Sequence, residues 1–188
     1  MHIYDFLMRP LERSLLADLR KQFIPKAKGD VLELGTGTGA NIPYYDKSEV
    51  KTLTCLDKKL HKGIVKKARD YQCTFVTGDV ENLSFPDNYF DSVVATLLLC
   101  SVTDAGKAIG EIKRVLKPHG MYIFIEHIAP KEEKLLRLFN TINKVWPKLA
   151  NGCNLNRRTD LALQRNGFAV LKMEKNKNGI FCYGIGRK

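Results

Sequence analysis

The run Val31-Leu32-Glu33-Leu34-Gly35-Thr36-Gly37-Thr38-Gly39-Ala40-Asn41 restricts this chain more than any other stretch. Strand-forming residues lead into glycines at alternating positions, where the missing Cβ permits positive φ and lets a ligand approach the backbone. A helical segment is expected to follow. Such a strand, Gly-rich turn and helix open a βαβ unit whose turn receives a ligand. The glycines also satisfy G-x-G-x-x-A. Asp57 closes the next strand about twenty residues on, where a carboxylate grips a ribose diol.

The rest of the chain repeats this alternation. Asp30–Leu34, Lys51–Leu56, Cys73–Thr77, Phe90–Thr96 and Met121–Glu126 read as strands, bounded by Gly, Pro or charge. Lys59–Asp70 and Asp104–Leu116 between them read as helices, which argues for a parallel sheet covered on both faces. Pro10 with Leu11, Leu15, Leu16, Leu19 and Phe23 predicts an amphipathic helix ended by Pro25 and Gly29. Lys117-Pro118-His119-Gly120 reads as a turn from helix to strand. Leu135, Leu138, Phe139, Ile142, Val145, Trp146 and Leu149 recur at helical spacing, and a short helix spans Thr159–Asn166. The stripe is expected to be core, with one end covering an apolar acceptor pocket. Phe168–Met173 and Ile180–Ile185, joined by a polar turn ending in Gly179, read as a terminal hairpin. The expected architecture is α/β, a doubly wound Rossmann-like sheet in one domain spanning residues 1–188.

With 188 residues and 44% hydrophobic content, there is room for one substantial core. The longest apolar run, Val93 to Cys100, is too short to span a bilayer, and the N-terminus lacks the basic-then-apolar order of a signal peptide. The expected location is cytoplasmic. Five scattered cysteines without a C-x-x-C pattern indicate neither a disulfide framework nor a metal site, and read as reduced, buried residues. The net charge of +11 permits contact with anionic phospholipid, nucleic acid or an acidic small molecule without choosing among them.

Three features separate a dinucleotide from other adenosyl ligands. Glu33 lies inside the first strand, where a buried carboxylate needs a partner, and an amino-acid ammonium suits it where a pyrophosphate does not. Gly78-Asp79-Val80 follows the third strand and offers a carboxylate to an adenine amino group beside an apolar contact. The terminal hairpin and the lack of a separate substrate domain also disfavour a dehydrogenase.

With these features the sequence resembles the class I S-adenosylmethionine-dependent methyltransferases from Asp30 onward. The resemblance implies a seven-stranded mixed sheet with an antiparallel last strand and S-adenosylmethionine as cofactor. It implies that Gly35, Thr36, Gly37 and Gly39 hold the methionine portion, Asp57 the ribose, Asp79 and Val80 the adenine, and Thr96 and Leu97 the sulfonium end, with Glu33 and Lys58 completing the cofactor-binding set. A narrower likeness lies in Thr54-Cys55-Leu56-Asp57, Thr96 to Val102, Glu126-His127-Ile128-Ala129 and Asn151 to Arg157. These segments are similar to the methyltransferase-like alkyl-thiol methyltransferases and their small bacterial relatives, which implies a lipophilic acceptor such as a thiol. An N-terminal hydrophobic anchor like that of the eukaryotic members is not expected. Residues 1–28 are expected to form a helical segment over the cofactor and acceptor site.

For the chemistry itself, His127 at the carboxyl edge after the fifth strand is the candidate general base, against an equally weighted role as a structural imidazole. Asn154, Arg157 and Trp146 are candidate acceptor contacts. Cys100 reads as core. Two other readings stand beside small-molecule transfer: a phospholipid or other membrane or macromolecular methyltransferase, and a non-catalytic cofactor-binding module. The absence of an N-P-P-Y type clamp argues against nucleic-acid adenine as acceptor, and peripheral contact with an anionic membrane stays open.

Overall fold

The computed structural model describes residues 15–59, 61, 64, 71–150, 152–165 and 168–188, apart from the side chains of 170 and 171. Short 3-10 turns aside, the elements are α1 (Ala17–Phe23), β1 (Gly29–Leu34), β2 (Val50–Asp57), β3 (Thr74–Thr77), β4 (Phe90–Thr96), α2 (Ala105–Val115), β5 (Leu116–His127), α3 (Glu133–Ile142), α4 (Trp146–Leu149), α5 (Thr159–Arg165), β6 (Ala169–Lys175) and β7 (Phe181–Arg187). The strands make one seven-stranded sheet in the order β3-β2-β1-β4-β5-β7-β6. β1 to β5 pair in parallel, and β7 runs antiparallel to β5 and β6. Among the described residues no helix is long and apolar enough to cross a membrane.

Period-two alternation assigns each strand residue to one of two cores. Leu32, Leu34, Val93, Ala95, Tyr122 and Phe124 face one side, packed with Ile109 and Ile112 of α2 and Leu163 of α5. Val31, Cys55, Val94, Ile123 and Ile125 face the other, against Leu19 and Phe23 of α1. The same alternation puts Glu33 and His127 on the α1 side and Glu126 on the α2 side. Asp104 caps α2 by accepting the Lys107 N–H at 3.0 Å.

Besides the short 3-10 turn Ile42–Tyr44, which stands where a helix was expected after the Gly-rich loop, the structure departs from the sequence reading in two places. Lys117-Pro118-His119-Gly120 lies within β5: Leu116 already pairs with Phe90, and the register shifts before Ser92 meets Met121. His119 takes φ +65° inside this bulge. The second departure is the apolar stripe expected in the core, because α3 has no buried residue and Leu138, Ile142, Val145 and Leu149 are exposed. The helix meets the body of the protein through half-buried Phe139, stacked on His127, and through its asparagines: Asn140 accepts from Asn156 at 2.9 Å and Asn143 from the Leu155 N–H at 2.8 Å. The expected helix over 59–70, and residues 10 to 14 of the first helix, lie largely outside the described residues.

Candidate functional site

A cavity of about 510 Å³ opens at the carboxyl ends of β1, β2 and β4. Strand order reverses between β1 and β4, and sheets of this kind bind ligands at that crevice. The volume falls in the range of small-molecule sites, about 300–1,000 Å³. Gly35, Gly37 and Gly39 have φ of +66°, +53° and +72°. They differ in what they leave free. A Cβ on Gly35 would stand 2.9 Å from Leu98 and one on Gly39 2.9 Å from Ile42, whereas above Gly37 the nearest atom is the Gly35 carbonyl at 3.9 Å. Gly37 is therefore the point where the loop is bare toward a ligand.

The loop is tied to β2. Gly35 and Thr36 N–H groups donate to the Leu56 carbonyl at 2.8 and 3.3 Å, and Gly37 N–H donates to Asp57 Oδ2 at 2.7 Å. Asp57 Oδ1 accepts the Lys59 N–H at 3.2 Å. Each carboxylate oxygen has a further lone-pair direction, so Asp57 anchors the loop while retaining capacity for a hydroxyl in the cavity it lines.

Glu33 is buried beneath this loop and is not among the residues that line the cavity. Its Oε2 accepts from the Tyr45 hydroxyl at 2.7 Å, and its Oε1 has no hydrogen-bond partner among the described residues. Burial pushes the carboxyl up to about 7, against the Tyr45 hydrogen bond and the nearby Arg20 charge, which hold it down. Asn41 pulls the same way, although its amide nitrogen donates to Thr96 Oγ1 at 3.1 Å and its carbonyl accepts Arg20 Nε at 2.8 Å. Arg20, Asn41 and Thr96 thus join α1, the loop after β1 and the end of β4 into one polar wall. Arg20 and Thr96 line the cavity.

On the β3 side, Gly78, Val80 and Lys58 line the cavity. Asp79 is half-exposed, accepts the Glu81 N–H at 3.0 Å and pairs with Lys58 at 3.2 Å. The backbone N–H and Lys58 hold its carboxyl below the usual range, despite some burial. At the β4 end, Leu97 lines the cavity with φ +56°, a conformation a branched side chain rarely adopts. Glu126, fully buried on β5, stabilises the turn that follows. Its Oε1 accepts from Leu98 and Leu99 N–H at 3.1 and 2.9 Å, and its Oε2 from Cys100 N–H at 3.4 Å. Burial raises its carboxyl well above the ordinary value, and those three N–H groups oppose the rise.

The remaining sequence candidates stand behind the cavity wall. Arg157 Nη1 donates to the carbonyls of Leu99 and Val102. Asn154 donates from its backbone to the Cys100 carbonyl at 2.9 Å and from its side chain to Gly152 at 2.8 Å. Both fasten the 150s loop to the turn after β4. Trp146 packs against Cys100, Ala150 and Cys153, and of that group Ala150 lines the cavity. His127 is buried, stacked on Phe139 at 5.9 Å and edge-on to Phe181 at 5.4 Å. Burial lowers its pKa to about 4, and it is not among the lining residues.

Residues 32–124 match the methyltransferase domain family. Human thiol S-methyltransferase TMT1A is 34% identical over 180 residues, covering 92% of this chain and 73% of that protein. Rat thiol S-methyltransferase TMT1B is 30% identical over 175 residues, covering 89% and 71%. The chain belongs to the class I S-adenosylmethionine-dependent methyltransferases. The fold agrees: an S-adenosylmethionine-dependent methyltransferase from Mesorhizobium loti superposes with a TM-score of 0.67 at 21% identity, covering 96% of this chain and 97% of that one.

The residues of this methyltransferase fit its cofactor, with bare backbone at Gly37, a carboxylate at the end of β2 and a buried guanidinium facing the cavity. The sequence reading missed Arg20, Asn41, Tyr45 and Glu126. Glu126 had a signal, since a second acidic residue inside an apolar strand raises the same question as Glu33. Arg20 carried none, because on an amphipathic helix an arginine reads as solvated.

Proposed function

We propose that this methyltransferase methylates the thiol of an apolar small molecule. The observation that carries the reading is the wall beyond the end of β4. It is apolar at Leu97, Leu98, Val102 and Ala150, and among the described lining residues its polar side chains there are the hydroxyls of Thr96 and Ser101. An alcohol or amine that must lose a proton needs a base at that wall. A thiol of pKa about 8.5 is already a few per cent thiolate at neutral pH. The similarity to thiol S-methyltransferases over about nine tenths of this chain supports the same acceptor class.

Bound S-adenosylmethionine supplies an activated methyl group on a sulfonium. The work of the protein is then orientation and exclusion of water, and orientation alone supplies up to about 7–11 kcal/mol of a barrier. Asp57 takes the ribose hydroxyls, Val80 and Leu56 flank the adenine with Asp79 toward its amino group, and the Gly35–Gly37 backbone with Arg20 receives the methionine end. Glu33 acts from beneath, through Tyr45 and the Arg20 side of the wall. Leu97 and Leu98 hold the acceptor in line. His127 supports the β5 end by packing, and the thiol proton leaves to solvent.

The test is methyl transfer from labelled S-adenosylmethionine to panels of thiols, amines, phenols and phospholipid vesicles. Transfer to apolar thiols, with amines and phenols left unmodified, is the expected result. Preferential transfer to an amine or phenol would overturn the acceptor assignment.

A further inference from the structure

The helical stripe between β5 and α5 is amphipathic with the wrong side out. Of the five exposed large hydrophobic residues in the described structure, four are Leu138, Ile142, Val145 and Leu149. Leu138 and Val145 are more than half exposed, at 52% and 57%. The four are spaced four, three and four residues apart, along a backbone that keeps coiling from α3 into α4 through Val145 N–H to Ile142 O and Lys148 N–H to Val145 O. At 3.6 residues per turn they share one side. Away from that side, Phe139 stacks on buried His127, and Asn143 and Asn140 accept hydrogen bonds from Leu155 and Asn156. These contacts hold the aliphatic side outward.

Helical spacing sets Lys134 and Lys148 on one flank of this stripe, and Lys144 stands in the turn between the two helices. All three are exposed, and none makes an ion pair among the described residues. An exposed apolar stripe with a basic border is the surface that lies in a lipid headgroup region, its aliphatic side chains among acyl chains and its lysines among lipid phosphates. We propose that α3 and α4 dock this methyltransferase on an anionic phospholipid bilayer. A second copy fits the stripe less well, because an interface of the stripe with itself gathers the same lysines. The segment ends at Ala150, which lines the cavity, so docking brings the cavity close to the bilayer. Delivery of the acceptor from the membrane is the consequence, and that step alone rests on the proposed apolar thiol.

Sedimentation of the full-length chain with vesicles tests the docking directly. Binding is expected to phosphatidylglycerol vesicles, with little to phosphatidylcholine vesicles, and to weaken as salt rises. Leu138→Gln with Ile142→Gln and Val145→Gln, all at exposed positions, should reduce the bound fraction at least about tenfold. Lys144→Glu with Lys148→Glu should reduce it and flatten its salt dependence. Unchanged melting and unchanged S-adenosylmethionine affinity show that the variants are folded. Wild-type protein that stays in the supernatant with anionic vesicles, or triple-variant protein that still sediments, would overturn the proposal. So would a stable dimer in solution that the triple variant dissociates, since a second copy then occupies the stripe. Failure of thiol methylation with vesicle binding intact would strike the acceptor reading and leave the docking surface standing.

Discussion

Glu126 and Leu99 meet at 2.9 Å, carboxylate to backbone N–H, and their contact fixes the direction in which the chain leaves β4. The turn begins at Leu97, whose positive φ costs conformational energy that its surroundings must offset. Glu126→Leu leaves the Leu98, Leu99 and Cys100 N–H groups without acceptor, each buried group costing about 1–3 kcal/mol. Glu126→Gln keeps an oxygen for Leu98 and Leu99. Urea denaturation should therefore rank wild type above Gln and Gln well above Leu. Equal loss in both variants would mean that the charge, and not the acceptor geometry, holds the turn.

Much of this site was legible in the sequence, and the reasons for the rest are physical. Gly35, Gly37 and Asp57 were placed because one strand period and one turn fix them relative to each other. Glu33 was recognised as a buried carboxylate, yet its partner Tyr45 comes from a loop twelve residues on, and Arg20 from a helix across the sheet face. Such partners depend on packing that no local pattern encodes. The aliphatic repeat from Leu135 to Leu149 was legible as a helix but not as a surface. Periodicity says that two faces differ, and tertiary contacts such as Phe139 on His127 and Asn143 with Leu155 say which one turns inward.

Asp57 should be the most sensitive cofactor contact. Asp57→Ala removes the acceptor for a ribose hydroxyl together with the anchor of Gly37, and charge-assisted contacts are worth about 1.5–3 kcal/mol each. Calorimetry should show S-adenosylmethionine affinity falling by more than tenfold, roughly 1.4 kcal/mol. Asp79→Ala should cost less, since that carboxylate is half-exposed and already paired with Lys58. Gly37→Ala tests the same floor sterically, because its Cβ enters the bare space above the loop. Unchanged affinity in Asp57→Ala would place the cofactor elsewhere.

Glu33 makes stability depend on pH. Its carboxyl gives up a proton near 4.5 in the unfolded chain and near 7 in the folded protein. Between those values the folded state binds more protons, so the contribution is whole below about pH 4.5 and is lost as pH rises to 7. The loss amounts to about 3 kcal/mol at most, at 1.36 kcal/mol for each pH unit. His127, lowered to about 4 by burial, acts oppositely below its ordinary value of 6.5. The comparison that isolates Glu33 is therefore wild type against Glu33→Gln, which keeps an acceptor for Tyr45. Denaturation midpoints of the two should converge or cross as pH rises from 5 to 7.5, and a constant difference would show that Glu33 does not titrate there.

The proton of the acceptor decides between His127 and solvent. A buried imidazole with pKa about 4 is neutral at pH 7, but its Nδ1 has no partner among the described residues and its ring is enclosed by Phe139 and Phe181. If the thiol ionises by itself, turnover at subsaturating acceptor rises with pH and levels off near the pKa of whichever thiol is used. A series of thiols with different pKa values should shift that plateau, each toward its own value. His127→Gln should then retain turnover within a few-fold at every pH, since loss of a positioned base costs about 10²–10⁴-fold. Its expected defect is in stability, where polar atoms replace a ring packed on two aromatic side chains. A folded His127→Gln protein with a hundredfold loss at neutral pH, rescued at alkaline pH, would instead make the imidazole the base and require the β5 end to open toward the cavity during turnover.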